Sequence, residues 1–186
     1  MRRHTVSLIV ENKFGVLARI SGLFSGHGYN IDSIAVGEAS EPGTARMTIV
    51  THGDDMIIEQ IIKQLNRLID VIRVVDLTDK TFINRELALI KVNANQTNRS
   101  EIVQISEIFR AKIVDISQKT LTMEATGNED KIDAIIGMLR PFGIREIART
   151  GRIAMGRDSR SKDTPTPEAP LPVWEKERKK IMADLA

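Results

Sequence analysis

The sequence predicts an α+β chain of two tandem β-α-β-β-α-β units, each a small four-stranded antiparallel sheet with two helices on one face. Two patterns carry that prediction: short runs rich in β-branched residues alternate with apolar stripes at helical spacing, and the same order of elements then recurs. In the first unit, T-V-S-L-I-V at 5–10 reads as a strand, and the E-N-K-F-G that follows breaks it. Val16, Leu17, Ile20, Leu23 and Phe24 form one apolar stripe on a helix that Gly26 and Gly28 stop. Asn30 to Val36 read as a second strand and E-A-S-E-P-G as a hairpin turn. Thr44 to Thr51 form a third strand, with Ala45, Met47 and Ile49 on one face. Ile58, Ile61, Ile62, Leu65 and Leu68 stripe a second helix, and Val71 to Leu77 close the unit.

The second unit repeats the order. Glu86 to Asn93 alternate as a strand, and Ile102, Ile105 and Phe109 stripe a helix. Ile113 to Ser117 and Leu121 to Thr126 form a hairpin. Ile132, Ile135, Ile136 and Leu139 stripe a helix stopped by Pro141 and Gly143, and Ile144 to Ala148 form the last strand. The topology is ferredoxin-like, with domains expected at 1–80 and 81–156. Units this small bury limited surface, and their open edges and helix-free faces invite a second copy, so a homodimer is expected. From about Arg157 the chain turns Pro-rich and polar, a linker or tail over 157–186. Trp174, Ile181, Met182 and Leu185 within it fall on one face of a short helix, a partner-docking segment or a frayed end.

Composition removes several functions. Five Phe, one Tyr and one Trp leave an aliphatic core, and a net charge of +2 is too near balance for a general nucleic-acid binder. Cysteine is absent, which excludes disulfides, thiolate metal sites and Cys nucleophiles. His4, His27 and His52 lack metal-ligand spacing. No apolar run approaches the roughly 20 residues of a membrane span. The M-R-R-H start is followed by an apolar stretch that ends at Glu11, too short for a secretory signal, so a cytoplasmic protein is expected.

This fold serves many chemistries, so the site must decide. RNA recognition needs stacking aromatics on the first and third strands, and residues 5–10 and 44–51 have none. An acyl phosphatase needs a basic cradle after the first strand, where Lys13 stands alone. That loop instead ends at a helix N-terminus, whose N–H groups favour an anion. Gly15 lets a carboxylate approach, and Asn12 offers donor and acceptor at the same mouth. The alternative is that Asn12 caps the turn and Gly15 only satisfies backbone geometry.

E-N-K-F-G-V-L-A-R-I-S-G-L-F-S-G-H-G-Y-N-I-D-S-I at 11–34 closely resembles the opening of the acetolactate (acetohydroxyacid) synthase small subunits. R-M-T-I-V at 46–50, Q-L-N-R-L-I-D-V-I-R-V at 64–74, R-E-L-A-L-I-K-V at 85–92, E-I-F-R at 107–110 and A-R-T-G at 148–151 are similar to later landmarks of that family. The resemblance covers about residues 2–157. It implies an N-terminal ACT domain, the amino-acid-sensing form of the fold, and a second domain of related topology. It also implies a non-catalytic, regulatory role with no cofactor in this chain. The partner would be a large catalytic subunit carrying thiamine diphosphate, a divalent metal (Mg) and FAD.

The implied effector is a branched-chain amino acid, most often valine, bound between the ACT domains of two copies. Asn12, Gly15 and Val16 of one copy would face Asn30 and Ile31 of the other. Phe14 departs from the family pattern, in which Pro or a small residue precedes the glycine. It would either narrow the pocket mouth or point outward. The competing function is a free-standing ACT-type amino-acid sensor acting on another enzyme or regulator, which the likeness of the second half disfavours. His27 is expected to meet the dipole at the end of the first helix, or to line the site. Arg46 and Arg73 are expected to form cross-strand or partner ion pairs.

Overall fold

Strand β1 (Arg2–Glu11) is the centre of the first unit. It pairs antiparallel with β3 (Thr44–Gly53) on one side and β4 (Val71–Asp76) on the other, while β2 (Ile31–Glu38) extends the sheet beyond β3. The computed structural model describes residues 2–157. Residues 158–186, with the expected tail helix around Trp174, lie outside that range.

Register decides what each face carries, because opposed residues in an antiparallel pair share a face. Leu8 pairs with Met47 and Val6 with Ile49, so these side chains with Val10 and Ala45 form one buried face. Helices α1 (Val16–Gly26) and α2 (Asp55–Leu65) cover it with Val16, Ile20, Phe24, Ile58, Ile61 and Leu65. Each such side chain contributes about 1.5–3 kcal/mol when fully buried. Leu17, expected in the stripe, is exposed, because the buried line of α1 runs through residues 16, 20 and 24 at i, i+4, i+8.

The second unit follows the same plan. Strands β5 (Phe82–Asn93), β6 (Lys112–Ile116), β7 (Thr120–Gly127) and β8 (Ile144–Arg149) stand in the order β6-β7-β5-β8. Helices α3 (Arg99–Ile108) and α4 (Glu129–Leu139) close a core around Ile90, Val92 and Met123. Phe109 caps α3 and is only partly buried.

The sequence-predicted order stops one strand short. A further strand, β9 (Ile153–Gly156), pairs antiparallel with Phe82–Arg85, the first third of β5. This two-stranded ribbon lies against the helix-free face of the first sheet, where the Ala154 N–H donates to Thr48 Oγ1 at 3.2 Å. Thr5, Ser7, Thr48 and Val50 of that face are buried. The face expected to stand open is therefore partly covered by the chain itself.

A charged clamp holds the two units together. Glu129, the first residue of α4, accepts from Arg3 of β1 and from Arg152 in the turn before β9. Arg152 also donates to Thr5 Oγ1 at 3.0 Å, and its N–H to Ser33 Oγ at 3.2 Å. Gly151 makes that approach feasible: it sits at φ +76°, and a Cβ there would lie 2.5 Å from Ser33 Oγ. Beside it, Arg149 holds buried Glu86 through two bonds of 2.6 and 2.9 Å.

Burial opposes ionisation of Glu129, but hydrogen bonds and charge from Arg3 and Arg152 outweigh it and hold its carboxyl below the ordinary value. A depressed carboxyl stabilises the fold above its unfolded value, and that contribution is lost as the pH falls through the folded one. Glu129→Gln is expected to cost about 1–2 kcal/mol at pH 7, discounted for the partial exposure of the pair. The loss should shrink as pH falls below about 4. Urea unfolding at both pH values checks this, and identical midpoints at pH 7 would refute the clamp.

Candidate effector-binding site

The loop between β1 and α1 is fixed by backbone bonds from both flanks. The Glu11 N–H donates to the Asp70 carbonyl and the Asn12 N–H to the Gly43 carbonyl, each at 2.8 Å. Gly15 sits at φ +82° and serves as the N-cap of α1, with no side chain capping the helix. Among the described residues the N–H groups of Phe14 and Gly15 meet no acceptor, and that of Val16 reaches the Lys13 carbonyl only at 3.5 Å. Three successive amides thus lie free or weakly held at the positive end of a helix, which suits a carboxylate.

Both open readings of this loop can now be separated. Gly15 does satisfy a backbone requirement, since an L side chain at its φ is strained. Asn12, however, does not cap the turn: its side chain is exposed and makes no hydrogen bond among the described residues. Lys13 pairs with Glu11 at 2.5 Å, so the loop holds no free basic cradle of its own. Val16 is buried in the core beneath the loop, and Phe14 is fully exposed and points outward.

The sequence pattern missed one side chain here. Arg19 reaches back along α1 so that its Nη1 would lie 3.4 Å from a Cβ on Gly15. Its Nη2 bonds buried Asp70 Oδ2 at 2.5 Å. Four residues after the glycine, one turn on, the guanidinium lies beside Gly15, its charge balanced by Asp70 as that of Lys13 is by Glu11. The i, i+4 spacing was a readable signal; the Asp70 partner, 51 residues away, was not.

Asn30 and Ile31 stand elsewhere. Ile31 opens β2 opposite Thr51, whose neighbour across the sheet is His4, whereas Asn12 follows the far end of β1. The Asn30 carbonyl accepts from Thr51 Oγ1 at 2.6 Å, and the residue is exposed. Helix α1 separates the two groups, and its 11 residues span about 16 Å. One chain therefore brings Asn12, Gly15 and Val16 together and leaves Asn30 and Ile31 at the opposite end of the helix.

His27 is the exposed C-cap of α1, on the Asn30 side. Arg46 and Arg73 flank Ile9 on the helix-free face, and neither forms the expected cross-strand ion pair among the described residues. Among the described residues no helix is long and apolar enough to cross a membrane.

Comparison with known proteins gives the family. Residues 6–73 match the family profile described as an AHAS small subunit-like ACT domain, and residues 85–158 match that of the small subunit of acetolactate synthase. The acetolactate synthase small subunit of Aquifex aeolicus is 53% identical over 164 residues, covering 88% of this chain and 85% of that one. The chain belongs to the acetolactate synthase small-subunit family.

A probable acetolactate synthase small subunit from Methanothermobacter thermautotrophicus is 54% identical over 159 residues, 85% of this chain and 95% of its own. The crystal structure of the small subunit from Thermotoga maritima superposes with a TM-score of 0.79 at 43% identity, covering 86% of this chain and 99% of that one. The small-subunit fold, two ferredoxin-like units with the first of ACT type, is therefore that of this chain, as the sequence predicted.

The left-handed backbone at Gly15 has a measurable cost for any other residue. Gly15→Ala is expected to lower unfolding free energy by about 1–2 kcal/mol, and Gly15→Asn by less, because Asn tolerates this conformation better. Denaturant unfolding of the two variants checks the order, and equal loss would place the cost in side-chain contact instead.

Proposed function

We propose that this chain is the regulatory subunit that raises the activity of a large acetolactate synthase subunit and makes it sensitive to a branched-chain amino acid. The supporting observation is the free N–H set at Phe14 and Gly15 beside the unengaged Asn12 amide. The effector carboxylate sits on the amides near Gly15 and Val16, and Asn30 of a second copy, with backbone carbonyls, meets the ammonium group. Ile31 of that copy lines an aliphatic pocket with the loop. Because Asn30 and Ile31 lie at the far end of α1 in the same chain, a homodimer is what completes the site.

Charge-assisted contacts contribute about 1.5–3 kcal/mol each and each buried CH₂ about 0.8 kcal/mol, enough together to hold free valine, leucine or isoleucine. The effector stabilises one dimer geometry over another, and it biases the catalytic partner only by its differential affinity for the two. A coupling of about 1–3 kcal/mol gives a useful feedback response. Catalysis belongs to the partner, which supplies thiamine diphosphate, a divalent metal and FAD. This chain carries none of these, and both act in the cytoplasm.

Gly15→Asp tests the placement by setting an anion where the effector carboxylate sits. Reconstituted with the catalytic subunit, the variant is expected to activate normally and to lose inhibition by valine. Undiminished inhibition would refute the site. The parent chain should also melt higher with its effector, by about 2.7 kcal/mol of added stability at 100 times Kd, and the variant should not.

A further inference from the structure

We propose that Asp70 is a positioning residue of the effector site, an inference that rests on the function proposed above. With its carbonyl and its carboxylate it ties both flanks of the β1–α1 loop, and so holds the amides of Phe14 and Gly15 in line for the effector carboxylate.

Asp70 lies in the turn between α2 and β4 and is 8% exposed. Its carbonyl accepts the N–H of Glu11, the last residue of β1, at 2.8 Å. Its Oδ2 accepts from Arg19 Nη2 at 2.5 Å. Arg19 belongs to the first turn of α1, where its own N–H donates to the Gly15 carbonyl at 3.0 Å. One buried residue therefore grips the chain where it enters the loop and where it leaves it. The guanidinium also backs the glycine, with Nη1 3.4 Å from where a Cβ on Gly15 would stand.

Docking of α1 does not require this pair. Val16, Ile20 and Phe24 bury the helix in the first core, and Arg19, half exposed, has no part in that stripe. Among the described residues no other side-chain hydrogen bond or ion pair joins residues 11–19 to the rest of the chain, since Lys13 and Glu11 pair with each other. What the Asp70–Arg19 pair adds is order in the loop. Two unpaired amides stay aligned only if the backbone that carries them is fixed, and a free loop must lose its conformational entropy when the ligand arrives. Fixing the loop beforehand removes that cost from binding, so Asp70 raises affinity without touching the effector.

Calorimetric titration of the full chain with valine, leucine and isoleucine tests this. The amino acid that the parent binds most tightly should bind Arg19→Gln and Asp70→Ala about tenfold more weakly each. The double variant should bind it no more weakly than the poorer single one, because both act through one contact. Arg19→Lys keeps the charge and a donor for the single bond, and should stay within about threefold of the parent. Without ligand, hydrogen exchange at the Glu11 and Asn12 amides should speed up in Arg19→Gln by a larger factor than at Val6 and Leu8 of the same strand. Arg19→Gln, at a half-exposed position, carries the test if Asp70→Ala does not fold.

Unchanged affinity in Arg19→Gln would overturn the proposal and leave the effector site in place. Losses that multiply in the double variant would overturn it too. So would exchange that rises equally along β1, which would make the pair a support of the fold alone. Binding of none of the three amino acids by the parent would refute the effector reading, and this role with it.

Discussion

The carboxylate of Glu129, shared between Arg3 and Arg152, is the interaction through which two small units become one folded body. Each unit closes its own aliphatic core, and outside both cores Val50, Leu77 and Ala154 are buried as well. What orients them is polar and directional: a carboxylate with two guanidiniums, a serine hydroxyl taking a backbone N–H, and a strand whose first third pairs with the ninth strand among the described residues. A polar junction of this kind fixes orientation more than it adds stability, because the desolvation of the charges offsets much of their attraction.

That orientation bears on regulation. The β1–α1 loop is tied to Asp70 and Gly43 within the first unit, while Arg3 of the same β1 reaches into the second. Strand β1 thus carries the candidate effector loop after one end and the clamp at its other. A ligand at the loop can influence the second unit only if the two arrangements of this strand and its neighbours differ in affinity for it.

Most of the fold was legible because the hydrophobic pattern is local and strict. Strands read at period two and helices at 3.6 recover eight strands and four helices in order, within a few residues at their ends. The ninth strand was not legible. It is four residues long, contains Ala and Gly, and takes its extended form from a partner about seventy positions earlier. For the same reason the covered face of the first sheet read as open. At the candidate site, Gly15 and Asn12 were visible because they are neighbours in sequence. Asn30 and Ile31 entered only through family resemblance, since no spacing rule links them to a loop at the other end of a helix. Arg19 was not legible because its buried partner is remote, and of the two kinds of ion pair expected of Arg46 and Arg73, cross-strand or with a partner, the cross-strand kind does not form because register sets both beside Ile9.

Strand β5 is a single run of 12 residues, roughly 40 Å long, that takes part in two different constructions. Its odd positions Ile83 and Arg85 face the corner beside the first sheet, and its even positions Ala88, Ile90 and Val92 fill the second core. A deletion of one residue ahead of Ala88 would invert the first set relative to the second, and a deletion after it would break the core itself. The alternation that fills the second core therefore also sets which side chains of the strand's first third lie beside the first sheet.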